Sequence, residues 1–475
     1  MEKNNDMNFV KNKIFLFFNI LILLILTICS FELKYSVSLS IINIIYIFTL
    51  NLFSILKIRK STNFIQPILI INIFTIVMFC IRPLFLFFSD FSYVKSLSSA
   101  LRLYSLVSGI TNIRSLPNAF ALYIISLSSF VFNYSYYLKN NINLSDREIT
   151  IDDSKTKKYG LLVYIIFIFL FVGFFLFKFN ISYLRQFAGR FHEIGIEFSF
   201  YDILWLYAFP FAIGYSYYIS KKNNQIPFLS IFLLLIELYL LMILTRRSYI
   251  VNVFIILLLI SYFYKGKTTT KNKKIGLKYI FYAILIFSLI IGLSEIRNQG
   301  QKYSKGDSGF VKILNEFDMY DMFVCTIDYY SYHENHYNGI NYLSLPFIPK
   351  ELWDNKPDYF DYHNSQIVLN GHFKAGIPTS LFGSLYLNFR LIGMVVSCLI
   401  LGLLCNKFYR KFSNFNDIHG LMKYSIFLIF IYDFFRVGNF ARELWSIMLY
   451  IFCFILCKKL LFVKEDNDEF EKKFN

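Results

Sequence analysis

Charge is what this chain has little of. Asp, Glu, Lys and Arg make up 17% of its 475 residues, against 56% hydrophobic residues, and mean hydropathy is +0.50. A water-soluble fold of this length needs a charged surface that such a composition does not supply. The seven cysteines contain no CxxC pair and no metal-ligand spacing. Only Cys325 falls in a long polar connector, and Cys453 and Cys457, four apart at a helix end, read as packing, so no disulfide framework is implied. No small-residue cleavage site follows the first apolar run, and another run begins at once, so it is expected to remain as a span rather than leave as a signal peptide. The net charge of +17 would suit nucleic acid, but the basic residues cluster in short connectors between apolar segments, where they set topology instead.

What the chain has in plenty is long apolar segments. Runs such as 20-ILILLILTICSF-31, 161-LLVYIIFIFLFVGFFLF-177 and 253-VFIILLLISYF-263 lie in stretches able to cross a hydrocarbon core, which takes about 20 residues. We expect an all-α polytopic membrane protein of about twelve transmembrane helices, at 14–31, 37–56, 66–88, 118–138, 160–179, 201–219, 226–245, 248–264, 277–294, 380–405, 420–436 and 443–463. The stretch 91–117 is open to a re-entrant or interfacial helix. With both termini in the cytosol, Lys3, Lys11, Lys13, Lys57, Arg59, Lys60, Lys221, Lys222, Lys407, Arg410 and Lys411 all lie inside, in accord with the positive-inside rule. Three divisions follow: a membrane bundle over 1–294, an extracytoplasmic loop over 295–379, and a second bundle with a cytosolic tail over 380–475. Within the loop, 310-FVKILNEFDMYDMFVCTIDYY-330 has the apolar spacing of an amphipathic helix, to lie on the membrane surface or on the other helices.

Cations that break the topology rule fall outside: Arg185 and Arg190, Arg246 and Arg247, Arg436 and Arg442. Arg297 follows the ninth span in the same way. A guanidinium is a planar fork that pairs bidentately with phosphate and keeps its charge, so these positions suit a lipid-linked diphosphate; snorkelling at helix ends is the plainer reading. Glu237 lies mid-span, where a carboxylate is costly and by default functional, although a packed neutral residue would fit as well. Arg82 lies near an outer end, where snorkelling accounts for it. Of the six histidines, His333, His336, His363 and His372 share the long loop and are candidates for general-base work. The HxxH spacing of His333 and His336 lacks a third ligand and makes a poor metal site.

Two further stretches, 347-FIPKELWDNKP-357 and 376-GIPTSLFGSLYLNFRLIG-393, give the chain its one family likeness. Together they resemble the Wzy-type oligosaccharide repeat-unit polymerases of O-antigen and capsule synthesis, through Pro349, Lys350, Trp353, Lys356, Pro357, Gly376, Pro378, Ser380, Gly383, Tyr386, Asn388, Phe389 and Gly393. Arg247 and Arg297 also match family positions. Ser384 stands where an acidic residue is common and Arg390 where glycine is usual, so no acidic catalytic role carries over to 384. The resemblance implies a GT-C-like, metal-independent glycosyltransferase without cofactor, multi-pass in the bacterial cytoplasmic (inner) membrane, with its site facing the periplasm or outside. Its donor and acceptor would be undecaprenyl-diphosphate-linked oligosaccharides, its partners the lipid bilayer, a chain-length regulator and a flippase, and no nucleic acid. Arg247 and Arg297 would then hold the diphosphate, with Arg246 beside them, and Arg436 and Arg442 the second lipid-linked unit. Lys350 and Lys356 would face phosphate, Trp353, Tyr386 and Asn388 the sugar or the loop scaffold, and His333, His336 or His363 would be the base.

An O-antigen ligase shares the spans, the long loop and the arginines. A polysaccharide flippase or other transporter would instead place charges along a central path, for which Arg82 and Glu237 are the only material. A dolichol-type sugar transferase would want acidic residues in its first outside loop, and 32-ELKYS-36 has one carboxylate.

Overall fold

The computed structural model describes residues 13–59, 65–90, 98–138, 159–179, 200–244, 248–263, 318–333, 339–344, 347–348, 352–353, 355–356, 360–371, 377–413, 415 and 417–461. Helices dominate them, and no strand occurs among the described residues. In chain order the helices are α1 (Lys13–Glu32), α2 (Val37–Arg59), α3 (Pro67–Phe88), α4 (Ser99–Ser108), α5 (Asn118–Tyr137), α6 (Gly160–Phe179), α7 (Phe200–Lys222), α8 (Phe228–Leu244) and α9 (Ser248–Phe263). They continue as α10 (Met319–Tyr332), α11 (Gly339–Ser344), α12 (Phe360–Val368), α13 (Ser380–Ser413), α14 (Ile418–Val437) and α15 (Phe440–Leu461).

Among the described residues, seven helices are long and apolar enough to cross a membrane: α2, α3, α5, α6, α13, α14 and α15. Shorter apolar stretches occur in α1, α8 and α9. The span expected at 277–294 lies outside the described residues. Of the stretch 91–117, the described residues, from 98 onward, hold α4 and a 3-10 turn, Ile113–Ser115.

The chain forms two compact units. The first comprises Met1–Arg147, Tyr303–Lys411 and Phe430–Trp445. Its centre is α2 laid against α5, with α1 and α3 alongside. Polar side chains join these apolar helices, as expected where hydrophobic attraction between helices is absent. Ser126 Oγ donates to Asn43 Oδ1 at 3.1 Å, Ser129 Oγ to Asn51 Oδ1 at 3.1 Å, and Asn133 Nδ2 to Asn72 Oδ1 at 3.2 Å. Asn72 Nδ2 in turn reaches Ser54 Oγ at 2.7 Å. α13 approaches α5 so closely at Gly402 that any Cβ there would overlap Ser135 and the Phe132 carbonyl. The second unit comprises Glu148–Lys302, Phe412–Ile429 and Ser446–Asn475. Here α7 is central, with α6, α8 and α9 packed around it and Trp205 and Tyr215 wholly buried.

One ion pair fixes how the first unit encloses α10. Arg82 Nη2 lies 2.5 Å from Asp321 Oδ2, and its Nε donates to Asp321 Oδ1 at 3.2 Å; both side chains are 0% exposed. Sequence explains the local backbone. Pro83 has no N–H to continue the α-helical ladder, and the turn before it widens to a π turn, Val77–Ile81, in which the Arg82 amide bonds to the Val77 carbonyl. α10 is therefore interior: Met319 to Asp328 are buried against α4, α5, α12 and the π turn. Of the two placements open to this helix from its sequence, packing on other helices is the one observed. Residues 310–317, expected to begin it, lie outside the described residues.

Removing either partner leaves a buried charge without its counter-charge, which costs about 3–5 kcal/mol. Arg82→Ala and Asp321→Ala should each lower the melting temperature in detergent by several degrees, and the double change to Met and Leu should recover most of the loss. Scanning fluorimetry of the purified chain checks this. A single variant as stable as the parent would show that the pair does not hold α10.

Candidate functional site

α10 carries a polar stripe. Asp321, Cys325, Asp328 and Tyr332 are spaced by four, three and four residues, so they share one face. The stripe is graded in exposure. Asp321 is closed off with Arg82; Asp328 is 5% exposed; Tyr332 is 73% exposed. Tyr104 of α4 donates its hydroxyl to Asp328 Oδ2 at 2.8 Å, and Tyr35 hydrogen-bonds to Tyr332. Burial pushes the Asp328 carboxyl above its usual range, and the bond from Tyr104 draws it partly back. Tyr35 is pushed up to about 12, chiefly by its bond to Tyr332 and then by burial. Just past the helix, His333 stacks on Tyr329 with ring centres 4.1 Å apart and planes at 5°. Its Nδ1 lies 2.9 Å from the Tyr329 carbonyl oxygen. A carbonyl only accepts, so Nδ1 is the donor, and in the neutral ring the lone pair is then on Nε2. His333 is exposed.

A second set of contacts gathers the proline-containing motif and the two terminal arginines. The Ile377 amide donates to Ser365 Oγ at 2.8 Å, and Asn364 Nδ2 donates to Thr326 Oγ1 at 3.1 Å, tying α12 to both the motif and α10. Ser380 begins α13 with φ 67°, and its Oγ accepts from the Gly383 amide. Gly383 faces α10 directly: a Cβ there would come 2.9 Å from the Phe323 ring. Gly438, with φ 70°, makes the α14–α15 turn, and any Cβ on it would run into the Ser380 carbonyl and Ser384 Oγ. Tyr342 of α11 donates its hydroxyl to the Gly438 carbonyl and accepts from the Phe440 amide at 3.2 Å. Asn439 Oδ1 takes the Arg442 amide at 3.1 Å, an N-cap for α15. Arg436 and Arg442 thus flank a turn clamped onto the start of the motif helix. Arg436 lies 3.5 Å from Asp433 and over the Tyr432 ring, with its Nε buried without a hydrogen-bond partner. Arg442 lies 3.8 Å from Glu443.

The residues singled out from sequence are distributed as follows. Arg246, Arg247, Arg297, His336 and Lys350 lie outside the described residues. Trp353 is half-buried. Lys356 folds back within the loop, its Nζ donating to the Ile348 carbonyl at 2.7 Å and its amide to the Trp353 carbonyl at 2.9 Å. His363 is half-buried on α12. Tyr386 sits edge-on to Phe323 and Phe120 and takes a hydrogen bond from Arg390. Asn388 is buried, with Nδ2 on the Ser384 carbonyl at 2.7 Å and Oδ1 unpartnered. So His333, His363, Tyr386, Asn388, Arg436 and Arg442 all belong to the first unit. Glu237 belongs to the second, wholly buried, and neither carboxyl oxygen is hydrogen-bonded among the described residues. Sequence reasoning missed Asp321, Asp328, Tyr104, Tyr35 and Tyr342. Their only signal was the seven-residue spacing of two carboxylates on an otherwise apolar helix.

Folding raises the Asp328 pKa, so the folded state holds this proton more tightly than the unfolded one. The carboxyl then detracts from stability increasingly as pH climbs above its unfolded value of about 4. Asp328→Asn keeps an acceptor for Tyr104 and never ionises. Its melting temperature relative to the parent should be higher at pH 8 than at pH 4. A difference that does not vary with pH would place the Asp328 carboxyl in an environment like water.

Compared with family models, curated proteins and solved structures, the chain matches none.

Proposed function

We propose that this chain is a membrane-embedded glycosyltransferase that polymerises undecaprenyl-diphosphate-linked oligosaccharide repeat units at the outer face of the bacterial cytoplasmic membrane. The observation that carries the reading is the clamp of Gly438 on Ser380 and Ser384. It brings the motif by which the sequence resembles repeat-unit polymerases against the turn bearing Arg436 and Arg442. In this scheme a hydroxyl oxygen of the incoming unit attacks the anomeric carbon of the growing glycan. The bond from that carbon to the carrier diphosphate breaks, and the diphosphate leaves with the electron pair. His333 Nε2 takes the hydroxyl proton. Arg247 and Arg297 meet the charge that develops on the departing diphosphate, where fixed cations lower the barrier most. Arg436 and Arg442 hold the diphosphate of the acceptor unit, and Trp353 and Tyr386 line the sugar path.

One observation favours a second reading. Glu237 is a wholly buried carboxyl without a hydrogen bond among the described residues, the kind of group that proton-coupled transport uses.

Deleting the gene separates the two. A polymerase leaves surface glycan of a single repeat, visible on gels of extracted polysaccharide; accumulation of repeats on the cytosolic face would sink the polymerase reading and favour transport. In the complemented strain, Arg247→Ala, Arg297→Ala, Arg436→Ala and Arg442→Ala should each cut polymerisation roughly ten- to a thousand-fold at unchanged membrane level. His333→Ala should do likewise, and normal chain lengths in any variant would remove that residue from the site.

A further inference from the structure

Asn224, Asn370, Ser380 and Arg390 are the described non-glycine residues with φ above zero. Asparagine tolerates this region in turns. Arg390 has no such excuse. It sits inside α13 with φ 59° and ψ −171°, a conformation that belongs to glycine and strains any other residue. Its neighbours hold the kink open. The Phe389 ring fills the room left by two glycines: a Cβ on Gly393 would lie 2.6 Å from Phe389 Cβ, and one on Gly339 would strike the ring. Tyr342 meets the same ring edge-on at 6.0 Å and 84°.

The kink marks a change of surroundings. From Ser380 to Leu385 the helix is buried in protein. Beyond it, Ile392 is 81% exposed, and Val396, Leu399 and Ile400 continue an outward apolar band. Arg390 is exposed at the step between the two, and cationic side chains beside an apolar band can reach lipid phosphates. It donates to Tyr386 and lies within electrostatic range of Tyr330 on α10. Arg82, Arg436 and Arg442 each face a carboxylate, whereas none of the described carboxylates pairs with Arg390.

We propose that Arg390 is an anion-binding residue for the phosphate of a lipid-anchored ligand, its backbone held strained to set the guanidinium at headgroup depth. Choosing an isoprenoid diphosphate as that ligand rests on the polymerase reading; an anionic phospholipid headgroup offers the same chemistry. A planar guanidinium bonds two phosphate oxygens at once, and strain of this kind persists where the surrounding packing over-determines it and clusters at ligand clamps.

The test uses the full-length chain in nanodiscs. Arg390→Gln removes the charge and keeps the strain, while Arg390→Gly removes both. One arm titrates geranylgeranyl diphosphate in phosphatidylcholine discs; the other measures phosphatidylglycerol retained from mixed discs by native mass spectrometry. Both variants should lose roughly ten-fold or more in at least one arm, and Arg390→Gly should melt higher than Arg390→Gln. Loss in the first arm identifies an isoprenoid diphosphate and loss in the second a phospholipid headgroup, and either supports the site. Parental affinity in both arms for folded Arg390→Gln overturns it, even if Arg390→Gly fails to fold. Binding is read without turnover, so a failed polymerisation assay and a failed binding assay remain separate results.

Discussion

The Arg82–Asp321 pair is the constraint on which the first unit is built. Two full charges 239 residues apart are enclosed with no exposure at all. Burying either alone would cost several kcal/mol, and the forked geometry makes the pair tolerable by satisfying both groups at once. Well-packed apolar side chains would stabilise the fold as well or better, so what the pair contributes is register. With Asp321 fixed against the π turn of α3, the 3.6-residue period leaves α10 no choice of faces. Asp328 must meet Tyr104, and Tyr332 must meet Tyr35. An amphipathic helix on a membrane surface could rotate or slide; this one cannot.

Around that fixed helix, Ser380 and Arg390 of α13 hold positive φ as non-glycine residues, and Gly438 takes φ 70° at the turn facing Ser380. Gly438 needs its missing Cβ, because Ser380 and Ser384 occupy the space. Ser380 and Arg390 bracket the part of α13 that packs on α10 through Gly383 and Phe323. A straight helix over the same residues would keep an unbroken ladder, but it would not turn from protein-packed to lipid-facing at Arg390. Strain is thus concentrated where motif, arginine turn and α10 converge, while the helices of the membrane bundle are joined by ordinary Ser–Asn hydrogen bonds.

Much of the fold was legible because lipid imposes a simple rule: about 20 apolar residues, helical throughout. That rule finds α2, α3, α5, α6, α13, α14 and α15 directly. It says nothing about which helix touches which, and so Arg82 looked like a snorkelling residue near a helix end. Its partner lay in a loop, in a segment whose apolar spacing fitted a surface helix equally well. The motif was visible, yet its contact with the turn at Gly438 depends on a glycine that no local pattern distinguishes from the others. Arg390 shows the same limit from the other side. An arginine in a helical run predicts helical φ and ψ, and only the packing of Phe389 between Gly339 and Gly393 overrides that preference.

Three carboxylates show how environment assigns different roles to one functional group. Asp321 faces a guanidinium in a dry interior and is confined to structure. Glu237 is equally dry and has no hydrogen-bond partner among the described residues. Asp328 sits between these extremes, nearly buried yet tied by one phenol, Tyr104, and followed four residues on by the exposed Tyr332. Proton transfer from a sugar hydroxyl needs an acceptor that the substrate can reach and whose basic lone pair is free. Asp328 fails the first requirement. His333, one residue past Tyr332, is exposed, and in a neutral ring whose Nδ1 donates to the Tyr329 carbonyl the lone pair is on Nε2. The stripe on α10 thus runs from a dry ion pair at Asp321 to an exposed end at Tyr332 and His333.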